Sequence, residues 1–321
     1  MKIGLISSWN EKCGVSEYTR NLAQGLIDKD NDVKICANYP KDQVQPDEDY
    51  VKRLFHVEFM TNQRGADAPG ILEFFADRDI IHIQFEAALY HPSWFVPFMR
   101  EMYTKLKAKI VVTTHTAAMW PEFDARCVHH FITHSQMWST QSLIPPGVKF
   151  FDKDARFFDT MDEYVCDMKS VVSFGLGRNQ DNLIKEAIEG TDVTFRTTYG
   201  NNKWLSKEEL IKEIKKSWII SLMYPEIDNT LSSSAVILAM GCNRPILISN
   251  TNWFQHVINY PNLYVCETVQ DIKDNIKYLT DPKNLPSIES DLCLMRAMLV
   301  MDNRTYDHYI NEHIKVYTAL I

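Results

Sequence analysis

Short apolar runs alternate with stretches of helical spacing along most of the chain. Residues 2–8 are apolar and too few for a helix, which predicts a buried strand. Residues 17–26 follow with Tyr18, Leu22, Ala23 and Leu26 at helical spacing, and Ser16 stands where its hydroxyl would cap the first turn. Between them, residues 11–16 form a turn containing Gly14. Strands are predicted at 32–39, 79–86, 109–114 and 129–134. A helix is predicted over 92–107 with Phe95, Phe98, Met99, Met102 and Leu106 inward. Residues 41–49, polar with prolines, read as a surface connection.

The pattern breaks at Pro145-Pro146-Gly147, and residues 150–169 are charged and aromatic with no settled period, which places the interdomain region there. A second α/β series begins at Ser170: strand, loop, then a helix from Asp181. Further strands are expected at 192–199, 218–224, 245–250 and 263–267. A helix opens at Ser206, with Glu209 completing a capping box, and another covers 231–240. Residues 304–321 are helical with Tyr306, Tyr309, Ile310, His313, Ile314 and Tyr317 on one side. Alternation of this kind gives parallel, doubly wound sheets. The domains are read as 1–155 and 165–303, followed by a terminal helix over 304–321. Ligands of such sheets bind outside the carboxyl ends of the strands, so facing edges would place the active cleft between the domains.

A length of 321 residues fits two domains of about 150 residues. A 45% hydrophobic content supplies full cores. Net charge of −8 with a pI of about 5.7 excludes a broad basic nucleic-acid surface but leaves a local groove open. The cysteines, at 13, 36, 127, 166, 242, 266 and 293, are scattered and lack metal-ligand spacing. They read as reduced, mostly buried thiols of a cytosolic protein, in a host cytoplasm if phage-encoded, with Cys13 near a site by position. No stretch approaches the ~20 apolar residues of a membrane span, and the opening strand leaves no room for a signal peptide.

A strand, a Gly turn and a helix start together make an anion site, because unpaired N–H groups and the helix dipole point at the turn. Gly14 lets a phosphate approach the backbone. One glycine falls short of the three of a dinucleotide fingerprint, and an ordinary first βα unit explains the stretch equally well.

Several segments taken together resemble the family-4 nucleotide-sugar glycosyltransferases of the GT-B fold: CGVSEYTRNLAQGL after the first strand, DIIHIQFEAALY, VVTTHT, VVSFGLGRNQDNLIKEA and LSSSAVILAMGCNRPILISN. Their order and spacing match across most of the chain. The resemblance implies two Rossmann-like domains, with a nucleotide-sugar donor held mainly by the second and an acceptor by the first. It also implies a final helix crossing back to the first domain.

Such a donor places a diphosphate at the bond being broken, so cations and N–H donors must face the leaving group. Gly14 and Val15 are the candidates on one side. On the other stand Arg178, whose planar fork suits phosphate, and Thr230, Leu231, Ser232 and Ser233 at a helix start, one of which would also cap the helix. His115, in the VVTTHT position, is expected at the donor sugar by resemblance; as a lone histidine it would be structural. Glu226, in a loop at the strand edge, is a candidate for sugar hydroxyls or a solvated glutamate. Ser16, Gln84 and Glu86 are candidates for the acceptor, whereas His82, inside its strand, reads as core.

The chain departs from the family pattern. Arg178-Asn179-Gln180-Asp181 lacks the following lysine, and Thr230 and Leu238 stand where the family has two glutamates. The leading expectation is a retaining transferase without metal or other cofactor, in which a departing phosphate oxygen takes the acceptor proton. The acceptor would be a glycan, a lipid-linked sugar or modified DNA. A phage-type enzyme acting on hydroxymethylated pyrimidines, with the base flipped out, is one alternative, and a catalytically silent sugar- or nucleotide-binding protein is the other. Arg100, Lys105, Lys107 and Lys109, beside the aromatic and Met residues of 94–109, read as the solvated face of a normal helix rather than a membrane-docking element.

Overall fold

The structure, a computed structural model, describes residues 1–40, 46–57, 65–115, 123–134, 142–144, 147–149, 151, 167–175, 180–198, 205–226 and 233–321. Two compact units form: Met1–Pro145 with Asp307–Ile321, and Pro146–Tyr306.

The first unit is built on β1 (Lys2–Ser7), β2 (Asp32–Asn38), β3 (Val51–His56), β4 (Gly65–Ala66), β5 (Ile80–Phe85), β6 (Lys109–Thr114), β7 (His130–Thr133) and β8 (Ser142–Leu143). They lie in the order β4-β3-β2-β1-β5-β6-β7-β8. Neighbours are parallel except β3 and β4. Helices α1 (Gly14–Ile27), α2 (Ala68–Phe74) and α3 (Pro92–Lys105) connect them. On β5 the two-residue strand period separates chemistries. Ile81, Ile83 and Phe85 join the aromatic and aliphatic core with Phe55, Phe75, Phe95 and Met102, whereas His82 and Gln84, also fully buried, share the opposite face. Thr113 of β6 stands beside Gln84 in register and is buried too.

The second unit carries β9 (Asp167–Ser173), α4 (Asp181–Ile188), β10 (Thr194–Thr197), α5 (Lys207–Lys215), β11 (Ser217–Leu222), α6 (Ser234–Gly241), β12 (Ile246–Ser249), β13 (Leu263–Cys266), α7 (Val269–Thr280) and α8 (Leu285–Met301). Its five strands are all parallel, in the order β10-β9-β11-β12-β13. The core gathers Trp218, Phe174, Phe254, Ile276, Leu292 and Met295. Trp218 is 1% exposed and donates its indole N–H to the Leu279 carbonyl at 2.6 Å, so its polar handle is satisfied inside the core.

The last helix, α9 (Tyr306–Leu320), belongs to the first unit, with Tyr309, Ile310, His313 and Tyr317 buried. It begins two residues later than expected. Arg304 is tied into the second unit, its guanidinium donating to the His256 carbonyl at 2.5 Å. Other boundaries also move. β9 starts three residues before Ser170, because its exposed charged beginning hides the strand. α6 starts at Ser234 rather than 231. The capping box of α5 forms as expected, Glu209 N–H to Ser206 Oγ at 3.2 Å and Ser206 N–H to Glu209 Oε2 at 2.8 Å. A second box, Thr268 with Asp271, starts α7. Arg100 and Lys105 are paired with Asp124 and Glu101 on the exposed side of α3. Among the described residues no helix is long and apolar enough to cross a membrane.

Two glycines hold positions where a side chain has no room. A Cβ on Gly4 would lie 2.7 Å from the buried Phe75 ring, and one on Gly241 would lie 2.2 Å from the Lys149 carbonyl oxygen. Gly4→Ala is expected to destabilise by about 1–3 kcal/mol through overpacking. Gly241→Ala is expected to cost more, since backbone gives way less readily than a ring. Urea midpoints in that order, with unchanged slopes, are the check.

Candidate functional site

Each sheet has one point where strand order reverses, and ligands of this architecture sit at the carboxyl ends there. In the first unit that point lies between β1 and β5. The loop leaving β1 is held by a polar network. Arg53 grips Asp47 with two 2.7 Å bonds and donates to the Trp9 carbonyl at 3.1 Å, and the Trp9 indole donates to Glu48 at 2.8 Å. Asn10 in this loop has φ of 54°, a left-handed conformation that Asn tolerates.

The helix start differs from the sequence expectation. Gly14 is the first residue of α1 rather than part of a turn, and Cys13 is the cap. The Cys13 thiol accepts the Ser16 N–H at 3.3 Å, while the Ser16 hydroxyl turns back to accept the Glu11 N–H at 3.2 Å. Ser16 fails as the cap because its oxygen is already engaged by the preceding loop. Burial pushes the Cys13 thiol pKa up, so it stays protonated. Val15 packs on the core of the first unit, and its carbonyl accepts the Thr19 hydroxyl at 2.7 Å.

Behind this edge lies a chain of neutral imidazoles. Gln84 donates through Nε2 to His82 Nε2 at 3.2 Å, and the Thr113 hydroxyl donates to the same nitrogen at 2.7 Å. His82 therefore carries its proton on Nδ1 and donates it to the Tyr317 hydroxyl at 2.6 Å. The other end of the Gln84 amide accepts from His115 Nε2–H at 3.0 Å. That assignment leaves His115 with its lone pair on Nδ1. The ring stands edge-on to Tyr18, with centroids 4.8 Å apart, and lies 5.1 Å from the His134 ring. His134 donates Nδ1–H to the Ile144 carbonyl at 3.1 Å. His313 of α9 donates Nδ1–H to the Tyr309 carbonyl at 2.9 Å and accepts from the Tyr18 hydroxyl at 3.3 Å. Burial is the largest cause of every shift: it holds His82 and His115 well below the ordinary range, His134 at about 4 and His313 at about 3. Glu86, half-buried, has its pKa raised by burial and accepts the Ala88 N–H at 3.4 Å.

In the second unit the order reverses between β9 and β11. The carboxyl ends there border a cleft of about 360 Å³ whose polar lining includes Gln180, Tyr224, Glu226, Asn250, Thr251 and Glu267. Ser249, at the end of β12, fixes its wall by accepting the Tyr224 N–H at 2.9 Å and donating to the Tyr224 carbonyl at 2.8 Å. Glu226 is exposed at the cleft and accepts the Asn252 N–H at 3.4 Å. Ser233 precedes α6, with its N–H on the Trp253 carbonyl at 3.3 Å and no capping bond from its hydroxyl. Among the described residues no group of three or more His, Cys, Asp or Glu is placed to hold a metal. Arg178, Thr230, Leu231 and Ser232 lie outside the described residues.

The structure thus brings Gln84 and His115 together in the first unit and adds Tyr18, His134 and His313. In the second it keeps Glu226 and adds Asn250, Thr251 and Glu267. The added residues of the second unit end or follow β12 and β13, where the strand-end rule applied to Gln84 and Glu86 also points.

The buried imidazoles generate a pH dependence. The unfolded chain titrates them near 6.5 and the folded chain lower, so between those values the unfolded state binds more protons. Stability that is complete above about pH 6.5 is lost as the pH falls toward 4. Each such group contributes a slope of up to about 1.4 kcal/mol per pH unit. Denaturant midpoints should fall across this window, and His313→Gln should flatten the slope by about one proton's worth.

No known family profile matches the chain, and no curated protein matches it. Solved structures do match. An alpha-glucosyltransferase in complex with UDP and a 13-mer DNA containing an HMU base superposes with a TM-score of 0.69 at 12% identity, over 99% of each chain. A glycosyltransferase from Rickettsia africae gives 0.68 at 13%, over 99% of this chain and 98% of that one. Sucrose-phosphate synthase from Thermosynechococcus elongatus gives 0.63 at 14%, over 100% and 99%. Similarity over the full length of each places this chain in the GT-B fold of glycosyltransferases.

Proposed function

We propose that the protein is a retaining glycosyltransferase that moves a sugar from a nucleotide-sugar donor to an acceptor hydroxyl. The observation that carries this reading is the hydrogen-bonding cleft at the strand-order reversal of the second sheet, in a fold shared end to end with glycosyltransferases solved with UDP.

The second unit holds the donor. Arg178, Thr230, Leu231, Ser232 and Ser233 are the residues assigned to its diphosphate, with the N-terminus of α6 supplying N–H donors to the leaving charge. Glu226 accepts bonds from sugar hydroxyls. The first unit holds the acceptor, with Ser16 and Glu86 along its edge, while Gly14 and Val15, at the start of α1, are assigned to the donor's phosphates. His115 offers a neutral ring, its Nε2–H committed to Gln84 and its Nδ1 available to a substrate hydroxyl; Gln84 acts by fixing that tautomer. The acceptor oxygen attacks on the face from which the nucleotide departs, and a phosphate oxygen takes the proton, so no protein base and no metal is required.

A panel of nucleotide sugars, assayed for binding, hydrolysis and transfer, is expected to reveal one donor, UDP-linked sugars being the first to try. Absence of all three activities across the panel overturns the reading. Binding without turnover on any acceptor leaves a silent binding protein. Arg178→Ala is expected to weaken donor binding by about 1.5–3 kcal/mol, the loss of a charge-assisted phosphate contact, while unchanged affinity removes Arg178 from the site.

A second reading concerns the acceptor. Similarity to a transferase solved with DNA carrying an HMU base favours modified DNA, whereas the net charge of −8 favours a glycan or lipid-linked sugar. Incubation with hydroxymethylcytosine DNA and a donor, followed by nucleoside mass spectrometry, separates the two. A glycosylated nucleoside is the outcome expected for a DNA-modifying enzyme.

A further inference from the structure

The hydrogen-bonded chain from His115 to Tyr317 has a property that its single bonds lack. His115 Nε2 lies 3.0 Å from the Gln84 amide oxygen, the Gln84 amide nitrogen 3.2 Å from His82 Nε2, and His82 Nδ1 2.6 Å from the Tyr317 hydroxyl. Each link joins groups that can donate or accept: a hydroxyl, two neutral imidazoles and an amide that can turn over. Such a chain has two self-consistent proton arrangements. In the one described above every bond donates towards Tyr317, and His115 keeps a lone pair on Nδ1. In the other every bond runs back. Tyr317 donates to His82 Nδ1, His82 Nε2–H donates to the Gln84 oxygen, the turned amide donates to His115 Nε2, and His115 carries its proton on Nδ1.

The surroundings confine the choice to these two. His82, Gln84 and Tyr317 are each 0% exposed, so solvent supplies no substitute for a broken link. Thr113 follows either arrangement, since its hydroxyl, 2.7 Å from His82 Nε2, can donate to that nitrogen or accept from it. The His115 ring stands edge-on to Tyr18 at 4.8 Å and lies 5.1 Å from the His134 ring, so it answers by moving a proton rather than by turning. Tyr317 is the terminal acceptor of the observed arrangement. Without its oxygen, His82 Nδ1–H becomes a buried donor with no partner, and the reversed chain is the one that avoids this.

We propose that the Tyr317 hydroxyl is a positioning group for the site: acting through His82 and Gln84, it sets His115 Nδ1 as a hydrogen-bond acceptor. Docking of α9 is then a requirement of the site as well as of the fold. The effect on turnover rests on the transferase reading given above, whereas the proton arrangement is a property of the first unit alone.

Long-range proton–nitrogen NMR on the full chain with isotope-labelled histidine tests it, because it tells a protonated ring nitrogen from an unprotonated one. His115→Gln assigns the His115 signals. The natural chain is expected to show His115 protonated on Nε2. Tyr317→Phe keeps the ring, removes the oxygen and is expected to move that proton to Nδ1. Gln84→Leu cuts the relay, so adding Tyr317→Phe to it should change nothing further at His115, whereas a general disturbance of α9 would still reach the ring. With UDP-glucose as donor probe, Tyr317→Phe is expected to lower kcat by up to about tenfold, the loss of one accepted hydrogen bond, with UDP affinity unchanged. An unmoved His115 proton in Tyr317→Phe, the same change in the Gln84→Leu background, or a moved proton with kcat unchanged overturns the positioning role. A moved proton with no turnover by the natural chain overturns the transferase reading and leaves the relay standing.

Discussion

A hydrogen bond between residues 235 positions apart holds the first unit closed: His82, in the middle of β5, donates to the hydroxyl of Tyr317 on α9. Both groups are fully buried. The face of the sheet to which they belong is polar through its centre, with Ser7 bonded to Thr19 of α1 at 2.6 Å, and Gln84 and Thr113 bonded to His82. An aliphatic helix laid on that face would strand these groups at about 1–3 kcal/mol each. The helices that cover it carry matching hydroxyls and imidazoles, and that pairing returns the end of the chain to its first unit after some 160 residues of the second (Pro146–Tyr306).

The same network prepares the edge for chemistry. A buried imidazole with no carboxylate beside it stays neutral, and a neutral imidazole has one donor and one acceptor nitrogen, fixed by its neighbours. Tyr317 and Thr113 settle His82, Gln84 transmits the choice, and His115 receives it. The side chain at the strand end is thereby set as a hydrogen-bond acceptor at neutral pH. The edge of the second unit works by the opposite means. There Glu226 and Glu267 are solvent-exposed and charged, each anchored by the segment that follows β12. One edge offers a neutral imidazole acceptor beside the half-buried Glu86, and the other offers solvent-exposed anionic acceptors. Both suit hydroxyl-rich ligands, and neither suits a bare anion without added cations.

Much of this was legible from residue order. The βα alternation, the strand at His82, the capping box at Ser206 and the apolar face of the last helix each have a local cause, a period or a cap, that reads directly. The stretches that were not read lack such a cause. β3, β4 and α2 are short and carry no clean period, and α8 is apolar on nearly every side, so its spacing shows no face. The Cys13 cap has no precedent in residue preference; it arises because the loop takes the Ser16 hydroxyl first. At the candidate site, Gln84, Glu86, His115 and Glu226 were visible as polar residues at strand ends. Thr251 and Glu267 obey the same rule at strands where it was not applied.

Two parallel sheets, their buried strands and the turns that lead to their carboxyl edges were determined by the sequence alone, because apolar periodicity and caps act over a few residues. Which polar side chains meet was decided only by tertiary structure. Tyr18, His82, His115, His134, His313 and Tyr317 come from five separate elements or strand ends, only His313 and Tyr317 sharing one, and no local pattern brings the five together. Their neutrality has the same origin, since the burial that depresses each imidazole exists only once the sheet, α1 and α9 have packed.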